Sequence, residues 1–181
     1  MQFPVFVELE GTACLVVGGG CVAARKATTL AEFGAKVVVV APRVADVLKT
    51  GLFEVRERPF ETRDIEGMFL VVAATDDPVT NARVAGLCRD RGVLVNAVDD
   101  PKNCTFTFGA LFRKGVVVAA VSSGGRCPVA AQMVRDQMAG IVSDGFAAEV
   151  GRLGEAREDL KRRFPDPNER KNFYERELRK G

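Results

Sequence analysis

The stretch ACLVVGGGCVAARKATTLAEFG, residues 13–34, decides the fold, because an apolar run breaks there at three consecutive glycines and resumes with helical periodicity. Val16 and Val17 close a strand, the glycines form a tight turn, and Ala27, Leu30, Ala31 and Phe33 continue an apolar helical face that Gly34 ends as a C-cap. Gly18, Gly20 and Ala23 fit the spacing G-x-G-x-x-G/A, and each position has a mechanical reason to be small. The first permits the turn, the second lets backbone approach a pyrophosphate, and the third lets helix and strand pack closely. A helix that starts at such a turn offers unpaired N–H groups and about half a unit of positive charge, an anion site built without charged side chains. A dinucleotide diphosphate is the expected guest, with Gly18, Gly20 and the first helical residues Cys21 and Val22 as its contacts.

Working outward, Lys36–Val40 (KVVVV) is a β-branched run of the kind buried on both faces of a parallel sheet. An acidic residue normally follows this second strand and holds the adenosine ribose. Here Ala41, Pro42 and Arg43 stand instead. The missing acid weighs against a dinucleotide unless backbone of this turn holds the ribose or Arg43 meets a 2′-phosphate; an ordinary surface arginine is the plain alternative. Residues 53–58 (FEVRER) alternate as an edge or half-exposed strand would, ended by Pro59, and 68–74 (MFLVVAA) form the next buried strand. Thr75-Asp76-Asp77-Pro78 then marks a helix start, with Asp77 as N-cap and Pro78 at the first helical position. Thr75 stands at the carboxyl end of a strand, where it either touches a cofactor or serves the cap. The following helix is expected to bury Val79, Ala82, Val84, Leu87 and Cys88 and to stop at Gly92, before a fifth strand at 93–98 (VLVNAV). Strands alternating with helices and connections predict a doubly wound, Rossmann-like parallel sheet of the α/β class. Ahead of it, PVFVELEGT reads as an apolar lead-in that packs on the sheet edge.

From Thr105 the texture changes. Two β-rich runs separated by FRKG, with no helix between them, predict an antiparallel hairpin, too small to stand alone. SSGGRCPVAAQMVRDQMAG repeats the glycine-turn logic and starts a helix at Pro128; its serines either greet an anion with the helix N-terminus or simply cap the turn. Beyond about Gly145 come two polar helical segments broken at 165–167 (PDP). Leu153, Leu160, Phe164, Phe173, Tyr174 and Leu178 are expected to form a small helical cap with a solvated basic face.

The 181 residues are 47% hydrophobic and 28% charged, an ordinary globular balance, and a net charge of +2 argues against nucleic acid as a partner. No stretch approaches the roughly 20 apolar residues of a membrane span. The N-terminus lacks a signal-peptide pattern, so a cytoplasmic protein without a membrane partner is expected. Five scattered cysteines without C-x-x-C spacing read as free thiols, mostly core. The absence of histidine removes the usual metal ligand and general base, and no metal-ligand set is identifiable. Acid–base work then falls to Asp, Glu, Lys, Tyr or Cys. Asp99 and Asp100, after the fifth strand, are either a carboxylate at a ligand-facing edge or an Asp-Pro turn.

Four elements, CLVVGGGCVAARKA, VVAATDDPVTN, VNAVDDPKNCTF and VAAVSSGGRCPVAA, in this order and at these distances, resemble the precorrin-2 dehydrogenase family, the sirohydrochlorin-forming module of siroheme synthases. The likeness spans roughly residues 3–145. It implies NAD-dependent oxidation of precorrin-2 to sirohydrochlorin, in some members followed by insertion of ferrous iron. It also implies a homodimer of three parts, here an NAD-binding domain at 1–110, a dimerisation region at 111–145 and a C-terminal helical domain at 146–181 that helps shape the substrate cleft. The family's acid falls on Asp99, the expected proton acceptor. Ser123, Gly124, Gly125 and Arg126 would bind carboxylates of the tetrapyrrole, and family members carry a phosphorylatable serine where Ser123 stands. The competing reading is a regulatory module that senses NAD and has no catalytic activity; it needs no acid at position 99.

Overall fold

The computed structural model describes residues 2–179, in two compact units: Gln2–Thr107, and the residues from Phe108 onward. The first unit is built on a sheet of β1 (Ala13–Val17), β2 (Lys36–Val40), β3 (Glu54–Arg56), β4 (Leu70–Ala73) and β5 (Leu94–Ala97). The strands lie in the order β3-β2-β1-β4-β5, every pair parallel. Helix α1 (Cys21–Glu32) links β1 to β2, and α2 (Pro78–Asp90) links β4 to β5. The chain thus winds outward from β1 in one direction and from β4 in the other, which makes the β1/β4 boundary the switch point of a Rossmann-like α/β fold.

The β-branched runs form the central strands because both faces are covered. Leu15, Val17, Val38, Val40, Val71 and Val95 pack with Val84, Ala85 and Cys88 of α2 on one face. The alternate residues Cys14 and Val16 turn to the other, where α1 buries Ala23, Ala27 and Leu30. Each such Val or Leu contributes about 1.5–3 kcal/mol on burial. Burial also pushes the Cys88 thiol up to about 11, so this cysteine is inert core. Edge strand β3 is pinned by charge instead. Asp64, 1% exposed, receives a bidentate Arg58 at 2.5 and 2.8 Å, Arg56 at 3.1 Å and the Glu61 N–H at 2.8 Å. The Arg58 guanidinium foremost holds its carboxyl down at about 2, against burial.

Two expectations for the first unit change. The buried stripe of α2 is Asn81, Val84, Ala85 and Cys88, while Val79 and Ala82 are exposed, because the helix is rotated to bring Asn81 under the β4 end. The lead-in does not pack on the sheet: no strand forms among residues 2–9 to pair with either edge, and Phe3, Val5 and Phe6 are largely exposed, with only Leu9 buried.

The second unit opens with the hairpin of β6 (Ala110–Lys114) and β7 (Val117–Val121), antiparallel with Lys114 opposite Val117. Phe112, Arg113 and Lys114 therefore belong to the strand rather than to the turn. The turn is the two-residue Gly115–Val116, with glycine first at φ +57° as a tight hairpin requires. Helix α3 (Pro128–Ile141) packs on both strands of the hairpin. Three helices follow rather than two: α4 (Asp144–Glu155), α5 (Arg157–Arg163) and α6 (Pro167–Leu178), the first break falling at Ala156. Ser143 caps α4 by accepting from the Phe146 N–H at 2.9 Å. Leu153 and Leu160 are buried, and Phe164 stacks on Phe173 with ring centroids 5.0 Å apart, so the small helical cap forms.

Candidate active site

The glycine turn divides its labour among three residues. Gly18 lies at φ +132°, and a Cβ there would stand 2.3 Å from the Ala74 carbonyl oxygen beyond β4. Gly19 packs the other way: its Cβ would stand 1.9 Å from the Arg43 carbonyl oxygen beyond β2. The turn is further tied down by Gly18 N–H to Val40 O and by Ala45 N–H to Gly19 O, each at 2.9 Å. Gly20, at φ −86°, has nothing within 4 Å of an added Cβ. It is the N-cap of α1, no side chain caps that end, and no acid stands in the first turn. Two glycines thus wedge the turn between its neighbours, and the third leaves an open backbone cradle before uncapped N–H groups. That is the form a pyrophosphate fits. Ala23 is wholly buried, as close packing of helix on strand demands.

Gly18, Gly20, Cys21, Val22, Pro42, Arg43, Thr75 and Asp99 all fall at the carboxyl ends of β1, β2, β4 and β5, which are consecutive in the sheet. Cys21, Val22, Pro42 and Arg43 are exposed around the turn, and the Arg43 carbonyl, not its side chain, makes the contact with Gly19. Thr75 is committed to its loop. Its hydroxyl lies 2.8 Å from Asn81 Oδ1 and 3.0 Å from Asp77 O, and it accepts from the Asp77 N–H at 3.2 Å. Asp77 caps α2 by accepting from the Val79 and Thr80 N–H groups, and the Thr80 hydroxyl foremost holds its carboxyl below the usual range.

The structure separates the two aspartates after β5. Asp100 is structural: its Oδ2 accepts from Asn103 Nδ2 at 2.6 Å, and its carbonyl lies 3.3 Å from Cys104 Sγ. Asp99 is exposed, has no hydrogen bond or ion pair among the described residues, and is their one non-glycine residue at positive φ, +59°. Aspartate tolerates this left-handed conformation, but such positions concentrate at functional sites. The strand end just before Asp99 is tied down twice: Val98 N–H donates to Ala73 O at 2.9 Å, and Cys104 Sγ lies 3.2 Å from Ala97 O. With strands about 4.8 Å apart, Asp99 ends the second strand over from the glycine turn, at a lateral offset of about 10 Å.

In the second unit, Ser122 Oγ accepts from the Gly124 N–H at 3.1 Å and Ser123 Oγ from the Cys127 N–H at 3.0 Å. Both hydroxyls shape the turn before α3. Gly124 and Gly125 lie at φ +66° and +77° with open space at their Cα atoms, and Arg126 is exposed. Anion recognition there would rest on open backbone and the Arg126 guanidinium more than on the serine oxygens.

Reading the sequence missed Gly19 and Asn81. The first is the x of the motif, and its constraint comes from a carbonyl 24 positions away. The second is a polar residue in an apolar stripe, the signal by which it could have been found. Among the described residues no three His, Cys, Asp or Glu side chains gather as a metal site, and no helix is long and apolar enough to cross a membrane.

A family model described as "Putative NAD(P)-binding" matches residues 5–110. The siroheme synthase of Pseudomonas entomophila is 40% identical over 176 residues, 95% of this chain and 38% of that protein. The siroheme synthase of Methylococcus capsulatus is 38% identical over 179 residues, 97% of this chain and 38% of that one. The chain thus spans little more than a third of the curated relatives it matches. A solved structure titled "SirC, precorrin-2 dehydrogenase" superposes with a TM-score of 0.66 at 21% identity, covering 99% of this chain and all of that one, which shows the shared fold.

Proposed function

Since the chain belongs to the NAD(P)-binding family whose model spans residues 5–110, we propose that it oxidises precorrin-2 to sirohydrochlorin with NAD as hydride acceptor, on the route to siroheme. The observation that carries this reading is the unpaired Asp99 carboxylate, fixed in a left-handed turn on the sheet edge that also bears the open cradle at Gly20. The names of the relatives support the substrate class.

The dinucleotide, when bound, supplies a nicotinamide that takes a hydride. The chain's own residues do the rest. Gly20 and the first N–H groups of α1 receive the diphosphate, and backbone of the Ala41–Arg43 turn meets the adenosine ribose, the Arg43 side chain being placed for the 2′-phosphate of NADP. Oxidation removes a hydride and a proton from the macrocycle, and Asp99 accepts the proton, standing in for the absent histidine. Open backbone at Gly124 and Gly125, with Ser123 and Arg126, binds carboxylates of the substrate.

We further read the protein as a cytoplasmic homodimer. Val129, Met133, Val134, Met138 and Ile141 of α3 are exposed large apolar side chains, an unusual concentration for a free surface. A second copy covers this face in the proposed dimer.

The test is direct: purified protein, NAD and precorrin-2 should yield NADH and the absorbance of sirohydrochlorin, and ferrous ion added afterwards separates a dehydrogenase alone from one that also inserts iron. Protein that binds NAD but neither tetrapyrrole would be a dinucleotide-sensing module instead.

A further inference from the structure

Asn81 is the polar member of the buried stripe of α2, 7% exposed among Val84, Ala85 and Cys88. A buried amide is retained where it is hydrogen-bonded, and here every hydrogen bond of the side chain is made with one residue. Asn81 Oδ1 accepts from the Thr75 N–H at 3.1 Å and lies 2.8 Å from the Thr75 hydroxyl, while its Nδ2 donates to the Thr75 carbonyl at 3.0 Å. The Thr75 N–H belongs to the peptide whose carbonyl is that of Ala74. That carbonyl oxygen and the Thr75 nitrogen lie 2.3 and 3.2 Å from the Cβ position Gly18 lacks. The Ala74–Thr75 peptide is therefore a wall of the glycine turn, and its plane cannot rotate without leaving Asn81.

We infer that Asn81 is a positioning residue of the dinucleotide site: its two-sided clamp on Thr75 holds the Ala74–Thr75 peptide against Gly18 and so sets the cradle that opens at Gly20. The inference rests on the dinucleotide reading of that cradle. Asn81 itself touches no cofactor, and Thr75 contributes through its backbone and the clamp.

Asn81→Leu tests it, since leucine is close to isosteric and suits the apolar stripe. The variant should fold with a melting temperature a few degrees below wild type, because the Thr75 N–H and carbonyl lose their partner, and should bind NAD about tenfold more weakly. KM for NAD should rise by the same factor, with KM for the tetrapyrrole unchanged. Asn81→Asp keeps the acceptor for the Thr75 N–H and loses the donor to its carbonyl; it should show a smaller rise and carries the test alone if the leucine variant does not fold. A folded Asn81→Leu protein with wild-type NAD affinity overturns the inference, as does an equal rise in both KM values, which would mark general loosening. Wild-type protein that binds neither NAD nor NADP would refute the cofactor reading itself, and this inference with it.

Discussion

Alanine at Gly19 and at Gly20 should have opposite consequences, although the two glycines are adjacent in one motif. At Gly19 the new Cβ would stand 1.9 Å from the Arg43 carbonyl oxygen and 3.0 Å from the Ala41 Cβ, so backbone must move on one side. Overpacking of this kind costs about 1–3 kcal/mol, and a clash with the Arg43 backbone rather than with a flexible side chain places Gly19→Ala at the upper end. At about 2–4 °C per kcal/mol for a chain of this size, the melting temperature should fall by about 6–12 °C. At Gly20 the φ of −86° suits any residue and the Cβ meets nothing within 4 Å. Alanine lowers the entropy of the unfolded chain, a stabilisation of about 0.4–1 kcal/mol that its poorer quality as an N-cap offsets, so stability should stay within about 1 kcal/mol of wild type. The same methyl group projects where the diphosphate would lie, and NAD affinity should drop by about tenfold or more. Calorimetry of the apoproteins and titration with NADH, followed by fluorescence, measure the two effects separately. A Gly20→Ala protein that binds dinucleotide normally, or a Gly19→Ala protein as stable as wild type, would refute this division of labour.

Other expectations concern charge and assembly. Asp64 has a depressed folded-state pKa, so its ion pairs stabilise the fold above the unfolded value of 3.8, and the contribution is lost as pH falls through about 2. At 1.36 kcal/mol per pKa unit this is about 2 kcal/mol. Asp64→Asn should cost that much in urea unfolding at pH 7, the gap to wild type narrowing from pH 4 downward; a gap constant to pH 2.5 would contradict the assignment. Met133→Asp together with Ile141→Asp, at side chains 61% and 81% exposed, should leave each chain folded but sediment as a monomer where wild type sediments as a dimer. A wild-type monomer would remove the proposed use of α3.

Local signals made most of the first unit legible. KVVVV is too short and too β-branched for a helix, and apolar on both faces, so it becomes the inner strand β2. Asp77-Pro78 announced the start of α2, and its side chain does cap that helix. What stayed hidden depends on side-chain pairings and backbone approaches that apolar periodicity and motif spacing do not encode. The orientation of α2 follows the pull of Thr75 on Asn81, which outweighs the apolar count that favoured Val79 and Ala82. The motif spacing marked Gly18 and Gly20 but said nothing of Gly19, whose neighbour Arg43 arrives only when β2 pairs with β1. Asp99 and Asp100 look equivalent as a dipeptide; they part only when Asn103 bonds to Asp100 and the turn puts Asp99 at φ +59°.

In the proposed reaction Asp99 accepts the proton released as precorrin-2 gives up a hydride. Single-turnover oxidation by Asp99→Asn tests it most directly, because asparagine tolerates the left-handed turn and removes only the basic oxygen. The rate should fall by about 100-fold or more with NAD affinity unchanged. Oxidation at the wild-type rate would contradict the account.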